Sequence, residues 1–523
     1  MDVKHSFVAA ATALWLTPAI AQSELVRGNV MDPASLDPQR MNTLYESNIA
    51  LDLFEGLTTP DANGDPVPGV AHSWTVSDDG LTWTFTLREN LVWSDGEALT
   101  AEDVVQSFRR LMNPATASQF PYLLYGVKNA EAVNTGSAPV DTLGVSAPDE
   151  RTVVIALGDP VPNLAELLSN AFGAIVPVHV IEQHGRTWTA PDTIVSNGAY
   201  ILSDWRPQDR VVLTRNPAFH AADSVAVERI VYLPTEDQTA ALARFRSGEL
   251  DTSIDFPTAR TDWLRENLPA ETKVTPALAT FYLTFNTQRS GLSDARVRRA
   301  LSLAIDRATL ANRVLRAGER AAVGFVPPGT SSYRSPAGDV PDAAVARAEA
   351  AALLAEAGYG PDNPLRVSLS LSSAEDRRRV VAAIAAMWQP LGVALTIDNT
   401  QGRVLFARLR TGDFDIGYAA WVADVNDAGN FLAILHSQAV NSNYARYANP
   451  DYDALLDRAA ATADAADRAG LLAEAEAVML ADAPVAPLYT GVSKHLVAAR
   501  VSGWRANLRD VHLSRYLDNS AVP

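Results

Sequence analysis

The chain has no cysteine among its 523 residues. That excludes disulfides, thiolate metal sites and cysteine nucleophiles, and it removes the thiol that a bacterial lipid anchor needs. No stretch approaches the ~18 consecutive apolar residues of a membrane-spanning helix, so nothing is expected to cross a bilayer. Basic residues are outnumbered, 43 against 61, and the net charge of −18 sets the surface against nucleic acid and anionic lipid. With 47% apolar residues the chain can fill cores, and its length exceeds what one core uses, so two to four domains are expected.

Catalytic signatures are missing as well. There is no HExxH, no GxSxG elbow, no GxxxxGK[ST] loop and no GxGxxG after a strand. Beyond the first residues the histidines are scattered as His72, His179, His184, His220, His436, His495 and His512. His179 and His184 lack the i, i+4 spacing of a helical metal pair. Neither a metal site nor a cofactor is expected. Carboxylate pairs are plentiful, Asp78 with Asp79, Asp413 with Asp415 and Asp424 with Asp427. They read as solvated turns of an acidic chain, with a glycosidase-type pair as the alternative.

What is present begins with MDVKHSFVAAATALWLTPAIAQSEL, in which Lys4 precedes a short apolar stretch from Phe7 to Leu16 and Ala19-Ile20-Ala21 offers a small-x-small cleavage pattern. Residues 1–21 read as a signal peptide, so an exported, periplasmic, soluble protein is expected. From Trp74 an alternating strand (Leu81, Trp83, Phe85, Leu87) lies between Asp-Gly turns. A helix follows, started by Thr100 with Asp103 and carrying Val104, Val105, Phe108 and Leu111 at helical spacing. Further strands are expected at Thr152–Leu157, Ala199–Leu202, Arg210–Leu213 and Arg229–Leu233. In the second half Asp294 caps an amphipathic helix, and the strand-helix-strand order of 365–372, 377–392 and 393–398 suggests a βαβ unit. The whole is α/β.

One stretch carries an unanswered charge. FDIGYAAWVADVNDAGNF, 414–431, runs apolar from Ile416 to Ala423 and stops at Asp424. A carboxylate at the end of a buried strand costs several kcal/mol unless a positive group meets it.

The segment AHSWTVSDDGLTWTFTLRENLVWSDGEALTAEDVVQSFRRLMNP, 71–114, closely resembles the signature segment of the extracellular solute-binding proteins, family 5, that feed peptide, nickel and related ABC importers. In order, 26–57, DTLGV (141–145), VSNGAYILSDW (195–205), RFRSGELD (244–251), FNTQ with DARVRRALSLAIDR (285–307), LLAEAGY (353–359) and AAWVADVND (419–427) are similar to their counterparts. Within the family the chain most resembles the periplasmic oligopeptide-binding proteins.

That resemblance implies a periplasmic-binding-protein-like clamshell (type II, cluster C) of three domains. Domain I comprises 22–58, 184–285 and 490–523, domain II is an insertion, 59–183, and domain III is 286–489. Crossovers near TFYLTFN and PVAPLYTG would form the hinge. The implied function is the non-enzymatic, monomeric receptor of an ABC importer, delivering short peptides to a transmembrane permease. Ala420 and Val422 would pair with the peptide backbone, Trp421 would wall a side-chain pocket, and Asp424 would hold the α-ammonium group. Glu46 would face the cleft, or else serve as a loop-cap carboxylate. Tyr125 would do so too, or else pack as a core aromatic. Leu409 and Tyr418 stand where the family pattern has two arginines. Arg377 stands where it has a histidine, and is read either as a partner for the peptide carboxylate or as part of a solvated helix start. A non-peptide amine such as an opine remains an alternative ligand, and an exported carboxylate hydrolase an alternative class.

Overall fold

The computed structural model describes residues 23–41 and 43–519; the proposed signal peptide lies outside them. Among the described residues no helix is long and apolar enough to cross a membrane.

Local sequence decides most elements. Trp83, Phe85 and Leu87 point inward along the strand Thr82–Leu87, as a period of two requires. The Asp103 carboxylate accepts the Thr100 N–H at 2.8 Å, and the capped helix Ala101–Met112 buries Val104, Phe108 and Leu111 against that sheet. The sheet is antiparallel throughout, in the order Ala71–Val76, Thr82–Leu87, Thr152–Ala156, Val145–Asp149.

The βαβ expectation also holds. Leu365–Ser372 and Val393–Thr400 pair in parallel, joined by the helix Glu375–Trp388. The return after that helix passes through Gly392 at φ +80°, where a Cβ would fall 2.1 Å from the Gly360 carbonyl carbon. Only glycine fits there.

Hydrogen bonding links eleven strands into one continuous ladder. Its order is Val393–Thr400, Leu365–Ser372, Ile416–Val422, Thr272–Phe285, Val485–Val497, Thr252–Ile254, Glu24–Asn29, Arg229–Pro234, Arg210–Arg215, Tyr200–Arg206, with Arg320–Ala321 beside Val485–Val497. The segments read as crossovers are parts of the two long central strands. Thr272–Pro276 pairs with Leu496–Val492 and Thr280–Thr284 with Thr490–Val485, and the register breaks between Pro276 and Thr280. Proline has no N–H for the ladder, so the pairing yields there. Opposite the break stands Gly491, where a Cβ would meet Ala279 Cβ at 3.0 Å.

The cores follow this division. Leu25, Phe54, Tyr200, Leu213 and Phe256 pack on one side of the break. Leu283, Phe285, Leu369 and Trp388, with Tyr282, Phe325 and Phe431 nearby, pack on the other. The four-stranded sheet and its helix hold a third core.

Candidate functional site

The strand Ile416–Val422 pairs with Thr272–Phe285 along its whole length, from Ile416↔Phe285 to Val422↔Ala279. On its other side Leu365–Ser372 reaches only Ile416 and Gly417 before turning into its helix. From Tyr418 onward that edge has no strand partner among the described residues. Val422, at its end, is 65% exposed.

Asp424 follows. Its backbone N–H donates to Asn430 Oδ1 at 3.2 Å, and Asn430 Nδ2 donates to its carboxylate at 3.4 Å. Trp421 Nε1 donates to the same Asn430 Oδ1 at 3.0 Å, so one amide joins the indole to the carboxylate. Tyr122, from the four-stranded body, donates its hydroxyl to Asp424 Oδ2 at 3.3 Å across the gap. Burial pushes the Asp424 carboxyl above its ordinary 3.8, while the Asn430 and Tyr122 hydrogen bonds act the other way. No lysine, arginine or histidine among the described residues offsets its charge. Asp427 is different: it caps Gly429 N at 2.8 Å and is held by Arg468 at 2.5 and 2.8 Å. Of the two carboxylates in ADVND, Asp427 alone has a cation among the described residues.

A cavity of ≈ 610 Å³ opens in front of Asp424. Val422, Phe120, Phe172, Phe281, Gly491 and Asp510 are among its walls, so it lies at the register break, between the core of the four-stranded body and the cores around Leu283 and Tyr282. Just after Asp424 the chain is tied to the four-stranded body, where Asn426 N donates to Glu166 Oε1 at 2.6 Å and Val425 enters that body's core.

The other expected residues divide. Ala420 lies on the unpaired edge and is half-buried. Trp421 points to the opposite face from Val422 and packs against the core around Phe431, not into the cavity. Its effect on Asp424 runs through Asn430. Glu46 is a buried cap: its carboxylate accepts from Ala34 N, Ser35 N and Thr43 N, which accounts for it as a loop-cap carboxylate, while its neighbours Thr43 and Ser47 line the cavity. Tyr125 bonds Asn134 at 2.8 Å inside its own body; Tyr122, three residues earlier, is the tyrosine that reaches Asp424. Tyr418 is buried with its hydroxyl on that of Tyr489. Arg377 lies over the Tyr418 ring at 5.8 Å from its centroid and bonds Ser372 Oγ. Leu409 is core, packed with Leu405 and Phe414. The remaining carboxylate pairs have structural work: Asp79 accepts from Leu81 N and Asp415 from Ser368 N.

Tyr122 and Asn430 are absent from the sequence reading. A tyrosine pair three apart in YLLY gives no sign which member points outward; the turn Pro121–Leu124 decides it. Asn430 is one of several polar residues after the strand, and nothing local marks it.

Residues 65–443 match the model of the bacterial extracellular solute-binding proteins, family 5 Middle. The periplasmic oligopeptide-binding protein OppA of Salmonella typhimurium is 37% identical over 92% of this chain and 89% of its own. The periplasmic murein peptide-binding protein MppA of Escherichia coli is 36% identical over 94% and 93%. A solved structure of the murein tripeptide-binding protein MppA in its unliganded open form superposes with a TM-score of 0.84 at 35% identity, covering 95% of this chain and 97% of that one. These are binding proteins of the α/β periplasmic clamshell class. With this architecture and a match across most of its length, the chain belongs to family 5 of the bacterial extracellular solute-binding proteins.

Proposed function

We propose that the protein is the periplasmic, monomeric substrate-binding component of an ABC importer, and that it captures short peptides by their N-terminal ammonium group and delivers them to a transmembrane permease. The observation that carries this is Asp424: a half-buried carboxylate with no cation among the described residues, at the end of an open strand edge, facing a cavity between bodies. A peptide supplies both missing partners at once, backbone groups for the edge and an ammonium for the carboxylate. Both relatives named above bind peptides by name. Export would remove residues 1–21. Domains 22–58 with 184–285 and 490–523, 59–183, and 286–489 would move about the Pro276–Thr280 break, closing on ligand as rigid bodies. We read the protein as no enzyme, and a peptide recovered intact after incubation tests that.

The direct experiment is native mass spectrometry of the purified protein for co-purified ligand, followed by calorimetry with a tripeptide panel. Absence of binding to any free-amine peptide would defeat the reading, and binding of an opine in its place would favour the other amine ligand.

Two smaller effects follow. Asn430→Ala removes the amide that holds Asp424 and should weaken free-amine peptides by about 1–2 kcal/mol, with folding unchanged by far-ultraviolet circular dichroism. Because the pKa of Asp424 is raised when empty, stability is favoured while it is protonated and falls as pH rises through that value. A bound ammonium reverses the balance by favouring the carboxylate. Free-amine affinity should therefore climb as pH rises through the raised pKa and then level off, with protons released on binding inside that window. Calorimetry in two buffers of different ionisation enthalpy measures the release; an N-acetylated peptide should show neither slope nor release.

A further inference from the structure

His495, Asp510 and His512 lie 15 and two residues apart in sequence, a spacing that announces no metal motif, yet the fold brings them to one point. His495 stands on the long strand Val485–Val497, and Asp510 and His512 come from the segment that crosses its face near the C-terminus. His495 Nε2 is 2.7 Å and His512 Nε2 3.2 Å from the same oxygen, Asp510 Oδ1. All three ligand atoms fall within 4.8 Å of one another.

We propose that these three side chains form a binding site for a divalent late transition-metal ion, with zinc as its representative. The site shares no side chain with Asp424, although Asp510 stands on a wall of the same cavity, and it does not depend on the peptide-binding reading. Two imidazole nitrogens and one carboxylate oxygen are the donor set such ions prefer. An ion about 2.0–2.1 Å from each ligand sets neighbouring ligand atoms about 3.0–3.4 Å apart, so the 2.7 Å spacing needs to open by a few tenths of an ångström and the 3.2 Å spacing already fits.

Charge and burial point the same way. The Asp510 side chain is 17% exposed, and its ionic partners among the described residues are the two histidines alone. The neighbouring acids have cations of their own, Lys494 on Asp255 at 2.8 Å and Arg27 beside Asp52 at 3.9 Å. His495 is 5% exposed, and its Nδ1 has no hydrogen-bond partner. Packing alone gives little reason for a buried imidazole with a single polar contact. Trp504 stacks on His512 at 3.7 Å between ring centroids and holds that ring in place. Asp510 also lines the cavity, so an ion bound to it has a route in and a coordination position left for water.

The test is calorimetric titration of the metal-free full chain with zinc chloride. One ion per chain is expected, and cobalt(II) in its place should give the intense visible bands of a low-coordinate site, abolished by zinc. His495→Gln and His512→Gln should each lose about 100-fold or more in zinc affinity, since a lost ligand costs at least what a lost supporting contact does. His72→Gln, on an exposed strand position, should bind as the wild type does. The wild-type titration is decisive even where a variant fails to fold: no stoichiometric ion, or a cobalt spectrum of a hexaaquo-like surface complex, overturns the proposal. Undiminished binding in both folded variants overturns it equally.

Discussion

Asp424→Asn should lower the affinity for a free-amine tripeptide by ~2–5 kcal/mol, read by calorimetry at neutral pH. The variant keeps the size and polarity of the side chain but removes the charge, which no cation among the described residues offsets. N-acetylation of the peptide should cause a comparable loss in the wild type. The acetylated peptide should lose little more in the variant, because both changes delete the same ion pair. Equal binding of acetylated and free peptides by the wild type would show that the ammonium goes elsewhere. A second readout runs in the opposite direction. The empty protein carries a half-buried unpaired charge at this position, so the variant without ligand should melt higher than the wild type, as expected where a functional group is held at the expense of stability.

Arg307→Ala should destabilise the folded protein by about 3–5 kcal/mol in urea denaturation, without a specific effect on peptide affinity. Arg307 is 4% exposed, and burial pushes its guanidinium down only to about 10, so it stays charged at neutral pH. No carboxylate pairs with it among the described residues. Instead it donates to Ala322 O and Pro487 O from Nε, to Ser302 O and Ile305 O from Nη1, and to Ser302 Oγ from Nη2. Three of these acceptors, on Ser302 and Ile305, lie at the C-terminal end of the helix Ala295–Leu303, where the helix dipole favours a cation. The others are Pro487 O on the long strand Val485–Val497 and Ala322 O, just after the strand Arg320–Ala321 that pairs with it. One planar group thus ties a helix end to the central strand. Truncation orphans several buried carbonyls at once. Arg307→Lys should recover less than half of the loss, since an ammonium cannot reach acceptors spread around a flat fork; full recovery would mean that charge, not geometry, matters here.

How much of this was readable follows from how local each cause is. The alternation of Trp83, Phe85 and Leu87, the Thr100–Asp103 box and the βαβ order from Leu365 to Thr400 depend on neighbours within a few residues, and all appear in the structure. Glu46 shows a local signal that competes with a distant one. Thr43-Leu44-Tyr45-Glu46 is a capping box in plain sequence, and its carboxylate caps Thr43 through one oxygen and the loop at Ala34 and Ser35 through the other. Leu409 and Tyr418 are buried because helix and strand periodicity place them inward, so neither position leaves room for a solvated cation.

The class of the chain, its capped helices and patterned strands, and the demand of Asp424 for a positive partner were all legible in the order of the residues. An apolar run ending in a carboxylate poses that demand whatever surrounds it. Long-range packing set Arg468 on Asp427 and left Asp424 with no cation among the described residues, brought Tyr122 rather than Tyr125 across the gap, and linked Trp421 to Asp424 through Asn430. It likewise joined His495 to Asp510 and His512. Each of these rests on contacts between residues far apart in the chain, whose partners are chosen by how the bodies pack about the Pro276–Thr280 break and not by any local preference.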